Sequence, residues 1–158
     1  SDLKEIITEL NHQVMSNAEG QHFITFFVAI YDKESMELKY VNSGHNPPVL
    51  VHDGKLQMLE EGSTILGAFH ELPFLNVGTI EGIGEFLFCG FTDGLTELNN
   101  SKGEEFGTDE LLKVIKENSG LEPAELNALI VKSMDRFKEE NSFNDDITLF
   151  TCKVNHKK

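Results

Sequence analysis

Short apolar segments separated by turn residues fill the middle of the chain, and they restrict its fold more than any other feature. Segments 23–31, 49–52 and 85–91 are almost entirely apolar, as expected of buried strands. Asp53–Gly54 separates 49–52 from 55–59, and glycine tolerates the positive φ that a two-residue hairpin turn demands. We therefore expect a meander of short strands in which Asp53 is a turn residue.

Two more segments extend this meander. Residues 36–40 alternate between apolar and charged side chains, which predicts a half-buried strand. Residues 32–35 form a turn before it, so this strand should pair with 23–31 as an antiparallel hairpin. Residues 75–80 predict a further strand, followed by a glycine-rich loop.

Apolar residues at helical spacing predict three helices. The first covers residues 2–15. The second is capped by Thr108 and ends near Gly120, and the third begins at Pro123, whose fixed φ suits the first helical position. A final strand at 147–154 follows. The order of helix, five or six strands, two helices and strand indicates an α+β domain.

Composition and charge narrow the classes of function. The chain has 158 residues, of which 39% are hydrophobic, and this length suits one domain over residues 1–158. Its 27 acidic and 13 basic residues give a formal charge of -14. Such a charge repels a phosphate backbone, so we expect no nucleic-acid partner. The excess of carboxylates leaves room for a divalent cation.

The cysteines and the first residues bear on the compartment. Cys89 and Cys152 lie in apolar strand-like segments without the spacing of a zinc site, and we interpret them as reduced core thiols. No charged segment followed by an apolar one opens the chain, so no secretory signal is visible. We expect a cytoplasmic protein.

Carboxylates stand at the ends of two predicted strands. Asp93 comes two residues after the apolar segment 85–91, and Asp145 and Asp146 precede the final strand. If these strands are antiparallel neighbours, Asp93 lies within reach of Asp145 or Asp146. A set of oxygen ligands suits Mg²⁺, Mn²⁺ or Ca²⁺ rather than zinc, and Gly94 would let the backbone turn sharply there. The alternative is that these are ordinary turn aspartates.

Four segments, in this order, resemble the C-terminal part of a known family of enzymes. That family is the stage II sporulation protein E type of metal-dependent protein phosphatase, of the PPM class. Its members are bacterial serine/threonine phosphatases that commonly regulate sigma factors by dephosphorylating anti-anti-sigma proteins. The resemblance implies an antiparallel β-sandwich flanked by helices, with a binuclear Mn²⁺ or Mg²⁺ site. The segments are YVNSGHNPPVLV (40–51), FTDGLTE (91–97), GEEFG (103–107) and NDDITLF (144–150).

The resemblance also implies roles for single residues. The TDG motif makes Asp93 a metal ligand, and the first aspartate of the DDIT motif makes Asp145 another, whereas Asp146 ranks below it. The nucleophile is then a metal-bound water, and no side chain acts as a catalytic group. His45, in the GHNPP segment, belongs to the framework of the fold.

The family pattern contains an earlier half that this sequence lacks. Its Gly-Asp and Asp-x-x-Gly motifs, which supply further metal ligands, are not found in residues 1–158. We therefore expect a partial domain that lacks its N-terminal portion, is inactive alone, and follows a sensor or receiver domain in a longer protein. Uncovered strand edges would favour a homodimer. The alternatives are a catalytically inactive phosphatase-like binding module and a structural dimerisation domain.

Overall fold

A computed structural model describes residues 2–18, 22–143 and 145–155. Two compact units make up the chain, and we call residues 1–47 with 59–84 the first unit and residues 48–58 with 85–158 the second unit. Each unit contains one four-stranded sheet. Within the described ranges, no helix has the length and apolarity needed to cross a lipid bilayer.

The elements follow the predicted order of helix, strands, helices and strand. In chain order they are α1 (Leu3–Ala18), β1 (Phe26–Asp32), β2 (Glu37–Ser43), β3 (Val49–His52), β4 (Lys55–Met58), β5 (Gly62–Ser63), β6 (Gly78–Ile80), β7 (Phe86–Phe91), α2 (Asp93–Thr96), α3 (Gly107–Glu117), α4 (Pro123–Lys138) and β8 (Leu149–Val154).

In the first unit, β2 is the central strand. It pairs antiparallel with β1 along its whole length, which confirms the predicted hairpin, and antiparallel with β6 on its other side. It also forms a short parallel pair with β5. The apolar face of α1 buries Leu3 and Ile7 against Val41 and Leu66, so the predicted first helix is confirmed.

In the second unit, the strand order is β4-β3-β7-β8 and every pair is antiparallel. Asp53 and Gly54 join β3 to β4 with φ angles of 48° and 70°, as the hairpin signal predicts. Helices α3 and α4 bury their apolar residues in one core with the strand residues Val49, Leu87 and Cys89. This core holds the ends of β7 and β8 in place.

Three local predictions are wrong. Thr108 is not the cap of α3 but its second residue, because the buried Phe106 takes the cap position and packs edge-on against Phe137. The first strand begins at Phe26 rather than at Phe23, whose side chain is 64% exposed. Seven strands, not five or six, precede α3 among the described residues.

Candidate metal centre

The end of β7 and the start of β8 meet at one edge of the second unit's sheet. Phe91, the last residue of β7, pairs with Leu149, the first residue of β8. One step further, the Thr92 N–H donates to the Thr148 carbonyl over 3.1 Å. The two predicted strands are therefore antiparallel neighbours, and Asp93 follows directly on the residue that joins them.

The Thr92 side chain ties the segment that contains the aspartate pair to the end of β7. Its Oγ1 accepts a hydrogen bond from the Thr148 N–H at 2.9 Å. The same hydroxyl donates to the Asp146 carbonyl at 3.3 Å. Sequence reasoning missed this role, although a threonine placed between the strand and Asp93 was the available signal.

Gly94 brings the two acidic segments together. A Cβ atom at this position would lie 2.7 Å from the Asp146 carbonyl oxygen and 3.4 Å from Asp145 Cβ. Gly94 is not among the glycines with positive φ. It is required here by close approach of the backbones rather than by a positive φ. Gly94 is the second residue of the short helix α2, which the fully buried Leu95 anchors directly after β7.

The side chains of Asp93 and Asp145 are both exposed to solvent. Asp93 Oδ1 accepts a hydrogen bond from the Gly94 N–H at 3.0 Å, and Asp145 Oδ1 accepts one from the Asp146 N–H at 2.7 Å. These local bonds orient the two carboxylates, and each involves only one oxygen of its carboxylate. An exposed carboxylate oxygen is a ligand that Mg²⁺ and Mn²⁺ accept.

The Asp93 and Asp145 carboxylates are the kind of ligand that such a cation binds, but two of them are too few to complete its coordination. A divalent cation of this type takes about six oxygen ligands. Within residues 2–18, 22–143 and 145–155, no three His, Cys, Asp or Glu side chains form a group that could hold a metal ion. Asp146 contributes its carbonyl to the Thr92 hydrogen bond. The two exposed carboxylates are therefore fewer ligands than such a cation takes.

His45 lies in the first unit and is held through its backbone. Its N–H donates to Asn42 Oδ1 at 2.8 Å, and Asn42 Nδ2 donates back to its carbonyl at 3.0 Å. Its ring Nδ1 lies 3.4 Å from Thr25 Oγ1. The buried Asn42 therefore fixes the turn that follows β2, which agrees with a framework role for this histidine.

Comparison with known proteins gives consistent matches. The family model described as Stage II sporulation protein E (SpoIIE) matches residues 1–155. Phosphoserine phosphatase RsbU of Bacillus subtilis (strain 168) is 24% identical over 151 residues, which cover 94% of this chain and 44% of RsbU. The chain therefore spans less than half the length of this curated relative.

Two solved structures show the fold. The SiaA-PP2C domain of Pseudomonas aeruginosa superposes with a TM-score of 0.81 at 16% identity, over 95% of this chain and 60% of that one. The phosphatase domain of SpoIIE from Bacillus subtilis gives a TM-score of 0.65 at 18% identity, over 100% of this chain and 69% of that one. The chain has the mixed α+β fold of PP2C phosphatase domains, as the motifs predict.

Proposed function

The chain belongs to the stage II sporulation protein E family, and we propose that it forms the C-terminal part of a metal-dependent protein serine/threonine phosphatase domain. One observation carries the proposal: the TDG and DDIT motifs meet at the joined ends of β7 and β8. This chain covers 60% of one matched phosphatase domain and 69% of another, so both domains extend beyond the matched part. This difference in length supports a partial domain.

Asp93 and Asp145 are the proposed metal ligands. Their carboxylates are exposed and stand on segments that touch at Gly94. We assign the cation as Mn²⁺ or Mg²⁺, and a manganese-presoaked form of the SpoIIE phosphatase domain is among the matching structures. The remaining ligands come from residues outside 1–158, so this chain alone is inactive. Asp146 stays a weaker candidate.

The neighbours of the aspartates have a positioning role. Thr92 joins the two segments through its hydroxyl, and Gly94 allows them to approach. Together they set the separation of the two carboxylates before any ion binds. When bound, the cations supply a water of lowered pKa and neutralise charge that develops on the phosphoryl group. No side chain of this chain is proposed to act as a general acid or base.

The proposed substrate is a regulatory phosphoprotein of a bacterial signalling pathway, such as an anti-anti-sigma factor. The names of RsbU and RsbP of Bacillus subtilis describe both as phosphoserine phosphatases, which supports a phosphoserine target. A formal charge of -14 disfavours nucleic acid as a partner. We further propose a cytoplasmic location, an upstream sensor or receiver domain, and a homodimer.

Hydrolysis by a protein that contains residues 1–158 together with its upstream portion tests this function. With a phosphoserine peptide as substrate, activity should require Mn²⁺ or Mg²⁺. Asp93→Asn and Asp145→Asn should each lower kcat/KM by at least about 100-fold, because each removes a charged ligand.

Asp53→Asn is the matched control. It makes the same change at a hairpin position with φ of 48°, which asparagine tolerates, and should leave kcat/KM unchanged. Full activity in either the Asp93 or the Asp145 variant would contradict the ligand assignment. A complete absence of turnover, with partner binding retained, would contradict the enzymatic function itself.

A further inference from the structure

A groove with basic residues lies in the second unit, between the β3–β4 hairpin and helix α3. Its volume is about 490 Å³, within the range of ligand sites in proteins. It shares no residue with the proposed metal centre. The lining residues are Gly54, Lys55, Leu56, Leu112, Lys113 and Lys116.

Three lysines line this groove from two elements. Lys113 and Lys116 are three residues apart on α3 and therefore lie on the same side of the helix. Lys55 is the first residue of β4, directly after the hairpin turn. All three side chains are exposed, so their charges are available to a partner in solution.

The charges of this groove are at most partly neutralised within the second unit. Lys113 has a long ion pair with Glu110 at 3.8 Å, and both side chains are largely exposed. Over the described part of the chain, neither Lys55 nor Lys116 forms an ion pair. The nearby Asp53 Oδ2 lies 3.5 Å from His52 Nδ1, a contact that is an ion pair only when the histidine is protonated. At least two of the three lysines therefore have no carboxylate of the described residues within ion-pair distance.

The groove also has an apolar surface. Leu56 and Leu112 are both partly buried and pack against the core of the second unit, so they are fixed in position. Their remaining exposed surface lies among the three lysines. An apolar side chain placed there would bury surface against both leucines, whereas a small inorganic anion would leave that surface unused.

The lysines of this groove are opposite in charge to the chain as a whole. Lysine and arginine number only 13 against 27 acidic residues, and the formal charge is -14. Three of the 13 basic residues line this one groove, which therefore presents positive charge within an acidic chain. Charge complementarity of this kind favours encounter with an acidic partner and fixes its orientation.

We propose that this groove is a docking site for an acidic segment of a partner protein, with an apolar side chain seated on Leu56 and Leu112. Carboxylates on either side of that side chain pair with Lys55, Lys113 and Lys116. This docking is independent of the metal centre and of catalysis.

Fluorescence anisotropy of a labelled Glu-Glu-Leu-Glu repeat peptide tests the proposal on the chain itself. The peptide should bind, and binding should weaken steeply as salt is raised. The double variant Lys113→Gln/Lys116→Gln should weaken it about tenfold, at about threefold for each exposed pair. Lys132→Gln, which removes an exposed lysine on α4, should leave it unchanged.

Four results would overturn the proposal. The first is that the peptide does not bind, and the second is that the double variant binds it as tightly as the wild type does. The third is displacement of the peptide by inorganic phosphate at low concentration, together with equal binding of a Glu-Glu-Ser-Glu peptide, which would identify a simple anion site. The fourth is a dimer seen by light scattering that the double variant abolishes while peptide binding is absent, since the occupant would then be a second copy of the chain.

Discussion

At the scale of single residues, Gly94 is a position where the two acidic segments lie too close for a side chain. A Cβ there would lie 2.7 Å from the Asp146 carbonyl oxygen, a backbone atom that cannot move alone. Gly94→Ala should therefore push the aspartate pair away from α2 and lower the free energy of unfolding by about 1–3 kcal/mol, as overpacking does elsewhere. Urea denaturation measures this loss.

Gly120→Ala provides the control for that substitution. An added Cβ at Gly120 meets no atom within 4 Å, and its φ is not positive. The free energy of unfolding of the Gly120→Ala protein should differ from that of the wild type by no more than about 0.5 kcal/mol. Equal stability of the Gly94→Ala and Gly120→Ala proteins would mean that the two segments are not in contact.

Cys89 makes stability depend on pH in the alkaline range. Burial raises the pKa of its thiol from the ordinary value of 9.0 to about 11, and a hydrogen bond from Thr151 opposes this only in part. The unfolded chain therefore releases this proton at lower pH than the folded chain does. The contribution of Cys89 is fully present below pH 9 and is lost as pH rises towards 11, by about 2–3 kcal/mol.

Urea denaturation between pH 9 and 11 checks this dependence against Cys89→Ala. The substitution removes the titrating group, so the stability of the variant should fall less steeply with pH than that of the wild type. Tyr40, whose pKa burial also raises, titrates in both proteins and cancels in the comparison. If the stability of the two proteins fell equally steeply with pH, the raised pKa of the Cys89 thiol would be contradicted.

At the scale of elements, one hydroxyl group adds two hydrogen bonds to the backbone pairing at the junction of β7 and β8. Thr92→Val keeps the shape of the side chain but removes the bonds to the Thr148 N–H and the Asp146 carbonyl. We expect a loss of about 1–2 kcal/mol of stability and faster hydrogen exchange of the Thr148 amide. Unfolding and amide exchange measure the two effects.

Thr148→Val is the matched substitution on the partner strand. The exposed Thr148 takes part in this junction through its backbone alone, so the loss of its hydroxyl should leave stability nearly unchanged. If both valine variants are equally stable, the Thr92 hydroxyl does not hold the junction.

The local sequence pattern was sufficient to predict the elements that have strong signals. The periodicity of α1, the Asp53–Gly54 hairpin and Pro123 at the start of α4 each act over a few neighbouring residues. The two-residue strand β5 has too few residues to show any period. The start of α3 depends on the burial of Phe106, which is a tertiary effect.

The candidate site was predictable in part for the same reason. Strand-end carboxylates at Asp93 and Asp145 are visible in the sequence, and the junction of β7 with β8 follows if the strands are neighbours. The hydroxyl bonds of Thr92 and the approach at Gly94 depend on which backbone lies opposite. No local pattern contains that information.

At the scale of the whole molecule, the family match over residues 1–155 confirms the resemblance that four motifs suggested. Each unit has its own sheet, and the proposed metal ligands belong to the second unit alone. The two proposed ligands can therefore be examined together, in a protein that contains residues 1–158 and the upstream portion. With a formal charge of -14, however, Mn²⁺ will also associate diffusely with the acidic surface. A useful measurement must locate the ion as well as detect it.

Paramagnetic broadening of amide NMR signals by substoichiometric Mn²⁺ does both, and it tests most directly whether Asp93 and Asp145 share a cation. The signals of residues 92–95 and 145–148 should broaden first, because both segments meet at Gly94. Asp93→Asn and Asp145→Asn should each remove this selective broadening, and Asp53→Asn should preserve it. Broadening spread evenly over the acidic surface, or selective broadening that survives in both variants, would contradict a metal site formed by these two aspartates.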